Sequence, residues 1–119
     1  MGRRVDLPTL RAAWWTVRAL RQTKRNLRRR SFREVIVPPP PRLAASAGRG
    51  VNAVLRRQDP TCLERALVLQ SWLAAHGEPT DVVIGVTGME GGFSAHAWLD
   101  GESPGVFQEL TRVQARGDT

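Results

Sequence analysis

The sequence predicts an α+β protein in which helices come first and a small antiparallel sheet follows. Apolar residues recur at helical spacing up to Gly77, and residues 60–77 form a helix that is apolar over most of its girth. Beyond Gly77, short runs rich in branched residues alternate with glycine-rich turns. A helix that is apolar on most sides is buried between layers, so we expect this one to lie on the sheet.

The charge of the chain is concentrated at its N-terminus. The 119 residues carry a net charge of +7, but residues 1–33 hold 11 Arg or Lys and one acid, for a local +10, whereas residues 34–119 carry −3. The excess therefore belongs to an N-terminal arm, which either meets RNA, an anionic membrane or an acidic protein, or is a solvated face.

Length and composition limit the class of protein. The chain is long enough for one domain with its own core, and a single cysteine cannot form an internal disulfide. It contains no secretory segment and no apolar run of transmembrane length, so we expect a cytoplasmic protein.

The first predicted element is an amphipathic helix over residues 7–30, with arginines opposite an apolar face. Because Trp14 and Trp15 are neighbours, only one of them can face the core, and the other is expected to pack on a partner element or protein. The apolar positions of the predicted core face are Leu10, Trp14, Val17, Leu20 and Leu27.

A proline segment separates this helix from the next. Residues 31–37 are predicted to form a short extended link, and the four prolines at 38–41 form a stiff break that no helix crosses. Residues 42–57 again show helical spacing, although Gly48 and Gly50 weaken that pattern.

The central helix, residues 60–77, has the only cysteine at its start. Thr61 is the expected N-cap, and Gly77 marks the end after a last turn in which His76 is a partner for the helix dipole. Cys62 then lies in the first turn, where unpaired N–H groups favour a thiolate. A lone cysteine is more often a buried structural thiol, so the assignment as a nucleophile requires a base nearby.

Three strands are predicted after this helix, in an antiparallel meander. They occupy residues 81–86, 93–99 and 106–113, separated by turns at 87–92 and 100–105.

His96 in the middle strand is the candidate base. Alternation puts it on one face of the strand with Ser94, Trp98 and Asp100, and puts Ala95, Ala97 and Leu99 on the other. If the central helix covers the first of these faces, the imidazole can approach Cys62, take the thiol proton and return it to a leaving amine.

A third group would orient the imidazole from its other ring nitrogen. Gln108 and Glu109, on what we expect to be the neighbouring strand, are the candidates, whereas Asp100 fits a turn better. No pair of metal ligands occurs at short spacing, so neither a metal nor another cofactor is expected.

Three segments in order, TCLERALVL at residues 61–69, IGV at 84–86 and AHAWL at 95–99, resemble the transglutaminase-like cysteine proteases of lasso-peptide biosynthesis. The resemblance is close over residues 60–110 and loose before them. It implies a transglutaminase/papain-like α+β fold, in which a buried central helix bearing the cysteine packs on a small antiparallel sheet bearing the histidine.

The resemblance also implies an organisation for the whole chain. Residues 1–37 become a basic amphipathic helical arm, residues 38–59 the proline break and second helix, and residues 60–119 the transglutaminase-like catalytic core of a single domain.

The implied activity is that of a leader peptidase in the biosynthesis of a ribosomally made peptide. It is one half of a split maturation enzyme and removes the precursor's leader, so that an ATP-dependent cyclase can close the macrolactam. The implied partners are the precursor peptide, a separate leader-recognition protein that holds it, and the cyclase as a further contact; no nucleic acid is expected.

By the same resemblance, Cys62 is the nucleophile and His96 the general base. The third residue of the family is usually an Asp about a dozen positions past the histidine, and this chain has none there. Glu109 or Gln108 must serve instead, and we favour Glu109 because a carboxylate also stabilises the imidazolium.

Two further residues are predicted at the site. The backbone N–H of Cys62 is the expected oxyanion donor, and the side-chain amide of Gln58 is a candidate to assist it. Trp98, on the same strand face as His96, is expected to shield the ion pair from water, or else to be plain core packing.

Two other functions fit the same residues. In one, the protein is a non-catalytic basic adaptor that binds RNA or an acidic protein partner. In the other, the same acyl-enzyme transfers its acyl group to an amine instead of to water.

Overall fold

The structure is a computed structural model that describes residues 7–29, 31, 35–87, 94–105 and 107–115. Helices α1 (Leu7–Arg29), α2 (Gly48–Gln58) and α3 (Cys62–Ala75) are followed by strands β1 (Val82–Thr87), β2 (Ser94–Leu99) and β3 (Gln108–Val113). The predicted α+β class is therefore confirmed. Of the described helices, none combines the length and apolarity that a membrane span requires.

Helix α1 buries a face of mostly small residues. Its buried positions are Thr9, Ala12, Trp15, Thr16, Ala19, Leu20 and Thr23. Leu10 and Trp14, which were predicted to face the core, are 53% and 68% exposed, so that part of the prediction is wrong. The expectation that only one of the two tryptophans faces the core is confirmed. Small residues take this face because α2 crosses α1 closely: a Cβ on Gly50 would collide with the Thr9 carbonyl.

The proline segment is packed against the helices. The Trp15 indole N–H donates to the Pro38 carbonyl oxygen at 3.0 Å, and Pro40 is buried. Helix α2 begins at Gly48, after a short 3-10 turn at Ala45–Ala47, rather than at residue 42 as predicted. The segment before this turn is instead hydrogen-bonded to the end of α3, because the Leu43 N–H donates to His76 Nε2 at 3.3 Å.

The sheet is antiparallel, as predicted, but it is not a meander. Its strand order is β2-β1-β3, with β1 in the centre. Val82 and Val83 point to opposite faces of β1 and are 0% and 1% exposed, so the most apolar strand occupies the position that is covered on both faces. Residues 88–93, which contain most of the predicted glycine-rich turn and Phe93, lie outside the described residues, as does Val106.

Helix α3 lies between two layers, which confirms that it is the buried central helix. One side packs against α1 and α2 through Val68 and Trp72. The other side packs on the sheet, where Leu67 meets Ala97 and Leu99. The helix therefore covers the face of β2 opposite to His96, and the alternative in which it covers the His96 face is wrong.

Candidate active site

A capping box fixes the start of α3, where Cys62 is the first helical residue. The Thr61 hydroxyl accepts from the Glu64 N–H at 3.2 Å, and the Glu64 carboxylate accepts from the Thr61 N–H at 2.9 Å. The expected N-cap is therefore confirmed. Lys24 of α1 lies 3.8 Å from the same carboxylate, and Glu64 is only 8% exposed, so the first helix also contacts this turn.

The Cys62 sulfur lies at the outer edge of the sheet. Strand β2 is an edge strand, and the Ala97 N–H, which points away from β1, donates to the sulfur at 3.4 Å. An N–H donor at this position stabilises negative charge on the sulfur. Only the carbonyl carbon of His96 separates the Ala97 nitrogen from the His96 Cα. The half-buried thiol therefore sits beside the backbone of His96.

The His96 ring projects from the other face of β2 and packs among aromatic rings. It stacks on Trp98, with centroids 5.9 Å apart and planes 23° apart, and meets Phe107 at 5.1 Å. Trp98 in turn lies over Gly85, where an added Cβ would come within 2.5 Å of its ring. In the part of the chain that the structure describes, no hydrogen bond joins the imidazole to the Cys62 sulfur.

The structure does not bring Glu109 to His96. Strand β1 separates β2 from β3, so the expectation that Gln108 and Glu109 lie on a neighbouring strand is wrong. His96 and Glu109 both pair with Gly85, from opposite sides, which separates their backbones by about two strand spacings, roughly 10 Å. Glu109 as third residue stays a prediction.

Glu109 is engaged elsewhere. Both of its carboxylate oxygens accept from Arg112 at 2.7 Å, and this bond holds the pKa of Glu109 below its usual range. Gln108 pairs with Val86 and so belongs to the opposite face of β3 from Glu109.

Glu102 is the acidic residue that the sequence reading missed. Its carboxylate accepts from Arg65 at 3.1 and 3.4 Å and from the Leu99 N–H at 3.0 Å. These bonds, that to Arg65 foremost, lower the pKa of Glu102, and the charge of His96 contributes in the same direction. No local signal in the sequence indicates this contact, because Arg65 and Glu102 are 37 positions apart.

The oxyanion candidate Gln58 is the last residue of α2 and is exposed. The chain turns at Asp59, whose φ of 47° is left-handed, before it enters α3. Among the described residues, no hydrogen bond links the Gln58 amide to the sulfur, and its role stays a prediction.

The second histidine has a structural role. His76 Nδ1 lies 2.7 Å from the Trp72 carbonyl oxygen, and its ring stacks on Trp72 at 4.0 Å. Because Nε2 accepts from the Leu43 N–H, Nδ1 carries the proton. His76 therefore hydrogen-bonds the end of α3 to the segment before α2, and its expected role as a partner of the helix dipole stays a prediction. Within the described ranges, no three potential metal ligands cluster together.

A comparison with known protein families matches residues 5–113 to the Transglutaminase-like superfamily. A search of the curated proteins and a search of the solved structures each found no match. The matched range runs from α1 through β3 and includes both Cys62 and His96. Since the match extends over most of the sequence, the chain belongs to the transglutaminase-like superfamily.

Proposed function

We propose that this chain is a cysteine peptidase that removes the leader from a ribosomally synthesised lasso-peptide precursor. Membership of the transglutaminase-like superfamily supports a Cys–His acyl-transfer site. The observation that carries the proposal is the 3.4 Å contact between the Cys62 sulfur and the N–H that follows His96, because it brings the only thiol to the backbone of the candidate base. The resemblance of residues 61–69, 84–86 and 95–99 supports the choice of substrate.

The proposed reaction proceeds through a thioester. The Cys62 thiolate attacks the carbonyl carbon at the leader–core junction, and the imidazolium of His96 protonates the leaving amine, which frees the core peptide. Water then attacks the thioester carbonyl while His96 takes its proton. The leader leaves with a free carboxylate, and the thiolate–imidazolium pair is restored.

The exposed face of α1 is the proposed contact with the leader-recognition protein. Leu7, Leu10 and Trp14 are 69%, 53% and 68% exposed and are spaced to form one stripe along the helix. The residues of α1 include no acid, and Arg11, Arg18 and Arg21 are exposed on the same helix, so the helix that carries the stripe is positively charged. Such a surface suits a partner with apolar residues rimmed by acids.

Cleavage of a synthetic leader–core peptide, with and without the recognition protein, tests the proposal. Mass spectrometry should show leader acid and a core peptide with a free amine. Cys62→Ala should reduce the rate by at least about 1,000-fold, as expected for loss of a nucleophile, with no change in thermal stability that would explain it. Leader joined to an added amine would indicate transamidation, and salt-steep RNA binding with an inert thiol would indicate the adaptor.

The two histidines provide a matched pair of variants. His96→Ala should abolish cleavage and leave the protein folded, because the ring is the proposed base. His76→Ala should destabilise the fold by about 1–3 kcal/mol, because it leaves the Leu43 N–H and the end of α3 unsatisfied. It should keep the cleavage rate under conditions where it remains folded. Equal activity in the two variants would remove His96 from the mechanism.

A further inference from the structure

Two backbone N–H groups on the outer edge of β2 donate to side chains near the start of α3. The Ala97 N–H donates to the Cys62 sulfur at 3.4 Å, and the Leu99 N–H donates to Glu102 at 3.0 Å. Residues two apart on a strand direct their N–H groups to the same edge, so both donors lie on one line. The Glu102 N–H also donates to the Leu99 carbonyl oxygen at 2.9 Å, which closes the turn after the strand.

The second point of contact is connected to α3 by an ion pair. Arg65 reaches both carboxylate oxygens of Glu102 through its two terminal nitrogens, at 3.4 and 3.1 Å. Arg65 follows Cys62 by three residues, so the two side chains share one face of the helix. One helix face therefore contacts the strand edge through the sulfur and, one turn later, through the arginine.

We propose that Arg65 and Glu102 are positioning residues for the reaction of Cys62 with His96. Their bidentate ion pair holds the edge of β2 against the start of α3, so that the sulfur stays beside the backbone of His96. The proposal rests on the assignment of Cys62 and His96 as the reacting pair and is independent of which peptide is cut.

The Arg65–Glu102 pair is better suited to fix the relative position of Cys62 and His96 than to stabilise the fold. Both side chains are partly exposed, at 41% and 39%, and ion pairs of that kind contribute little to the stability of a fold. Reacting groups, in contrast, are sensitive to small displacements, and an error of about 1 Å reduces rates by about 100-fold.

Alkylation of the protein by iodoacetamide tests the proposal without any substrate. Cys62 is the only cysteine, so the gain in mass at pH 7 reports this thiolate alone. If Arg65 and Glu102 acted only through their charges, Arg65→Gln would slow alkylation and Glu102→Gln would accelerate it. If they position the pair, both variants slow it, by about tenfold or more, as His96→Ala does.

Control variants separate this effect from unfolding and from net charge. Glu102→Asp keeps the charge but shortens the reach, so it should be slow as well. Arg42→Gln removes one positive charge from an exposed position next to Leu43, which contacts the other end of α3, and should leave the rate unchanged. Melting temperatures should stay close to that of the wild type; a variant that does not fold is replaced by Glu102→Asp, for which a wild-type rate counts against the proposal.

The outcomes distinguish this proposal from the proposed function. A Glu102→Gln rate equal to or above that of the wild type overturns the positioning role, even if precursor cleavage is observed. Slow alkylation of all the pair-breaking variants, together with an uncut leader–core peptide, supports the positioning role and rejects the substrate. Where cleavage occurs, kcat should fall in the same variants while KM stays unchanged.

Discussion

At the residue scale, Gly85 determines how closely the aromatic side chains pack at the centre of the sheet. The Trp98 ring occupies the space above this glycine, and an ideal Cβ there would lie 2.5 and 2.7 Å from two ring carbons and 2.6 Å from the Gln108 carbonyl oxygen. Trp98 in turn supports the His96 ring. The absence of one side chain in β1 thus permits the arrangement of the candidate base in β2.

Gly85→Ala should therefore destabilise the fold by about 1–3 kcal/mol, the usual effect of overpacking a tight site. It should also reduce cleavage further than the lost stability explains, because a displaced Trp98 no longer supports His96. Denaturant unfolding and the cleavage rate measure the two effects.

A second substitution tests the cause. In G85A/W98F the smaller ring makes room for the methyl group, so the double variant should be more stable than the sum of the two single changes predicts. Additive effects would show that the Trp98 ring is not what the new methyl group meets.

At the element scale, the two glycines of α2 have different neighbours. Gly50 faces the backbone of α1, so the two helices cross at a distance that excludes any side chain at that position. Gly48 has no such close neighbour, because a Cβ there would meet only the Trp72 indole nitrogen at 3.6 Å, an ordinary packing distance. Gly50 thus weakens the helical pattern in the sequence but allows α2 to pack closely against α1.

Gly50→Ala should force α1 and α2 apart and destabilise the protein by about 1–3 kcal/mol. Gly48→Ala should be neutral or stabilising by up to about 1 kcal/mol, because alanine favours the helix and has room. Thermal unfolding of the two variants side by side provides the measurement. Equal melting temperatures would contradict the close crossing of the helices.

At the scale of the whole molecule, positive charge is concentrated on α1, which also exposes the apolar residues Leu7, Leu10 and Trp14. Trp15 joins the core against Trp72, with ring centroids 5.8 Å apart, while Trp14 is 68% exposed. Two adjacent residues of one type therefore have opposite roles, one in folding and the other in the proposed docking of the recognition protein.

These neighbours give a paired prediction. Trp15→Ala should destabilise the fold by about 3–5 kcal/mol through loss of core packing and of the bond to Pro38. Trp14→Ala should change stability by less than about 0.5 kcal/mol and should weaken binding to the recognition protein, measured by calorimetry. Unchanged binding would remove the Leu7–Leu10–Trp14 stripe from the proposed interface.

Local signals in the sequence predict much of this molecule. The Thr61 cap, the buried central helix and the antiparallel strands follow from capping residues and periodicity. The strand order cannot be predicted from these local signals, because it depends on which strand is covered on both faces. The separation of His96 from Glu109 depends on the strand order and therefore cannot be predicted from them either. The contact of Arg65 with Glu102 joins residues 37 positions apart in the chain and likewise has no local signature.

The mass of the protein during turnover tests most directly whether Cys62 forms the acyl-enzyme. Wild-type protein is mixed with leader–core peptide and recognition protein, quenched in acid and digested, and the fragment containing Cys62 is weighed. If Cys62 is the nucleophile, it should carry an adduct with the mass of the leader acid less one water. The adduct should be absent from Cys62→Ala, which should not cut the peptide. Cleavage that continues undiminished in Cys62→Ala, with Cys62 unmodified in the wild type, would contradict this role.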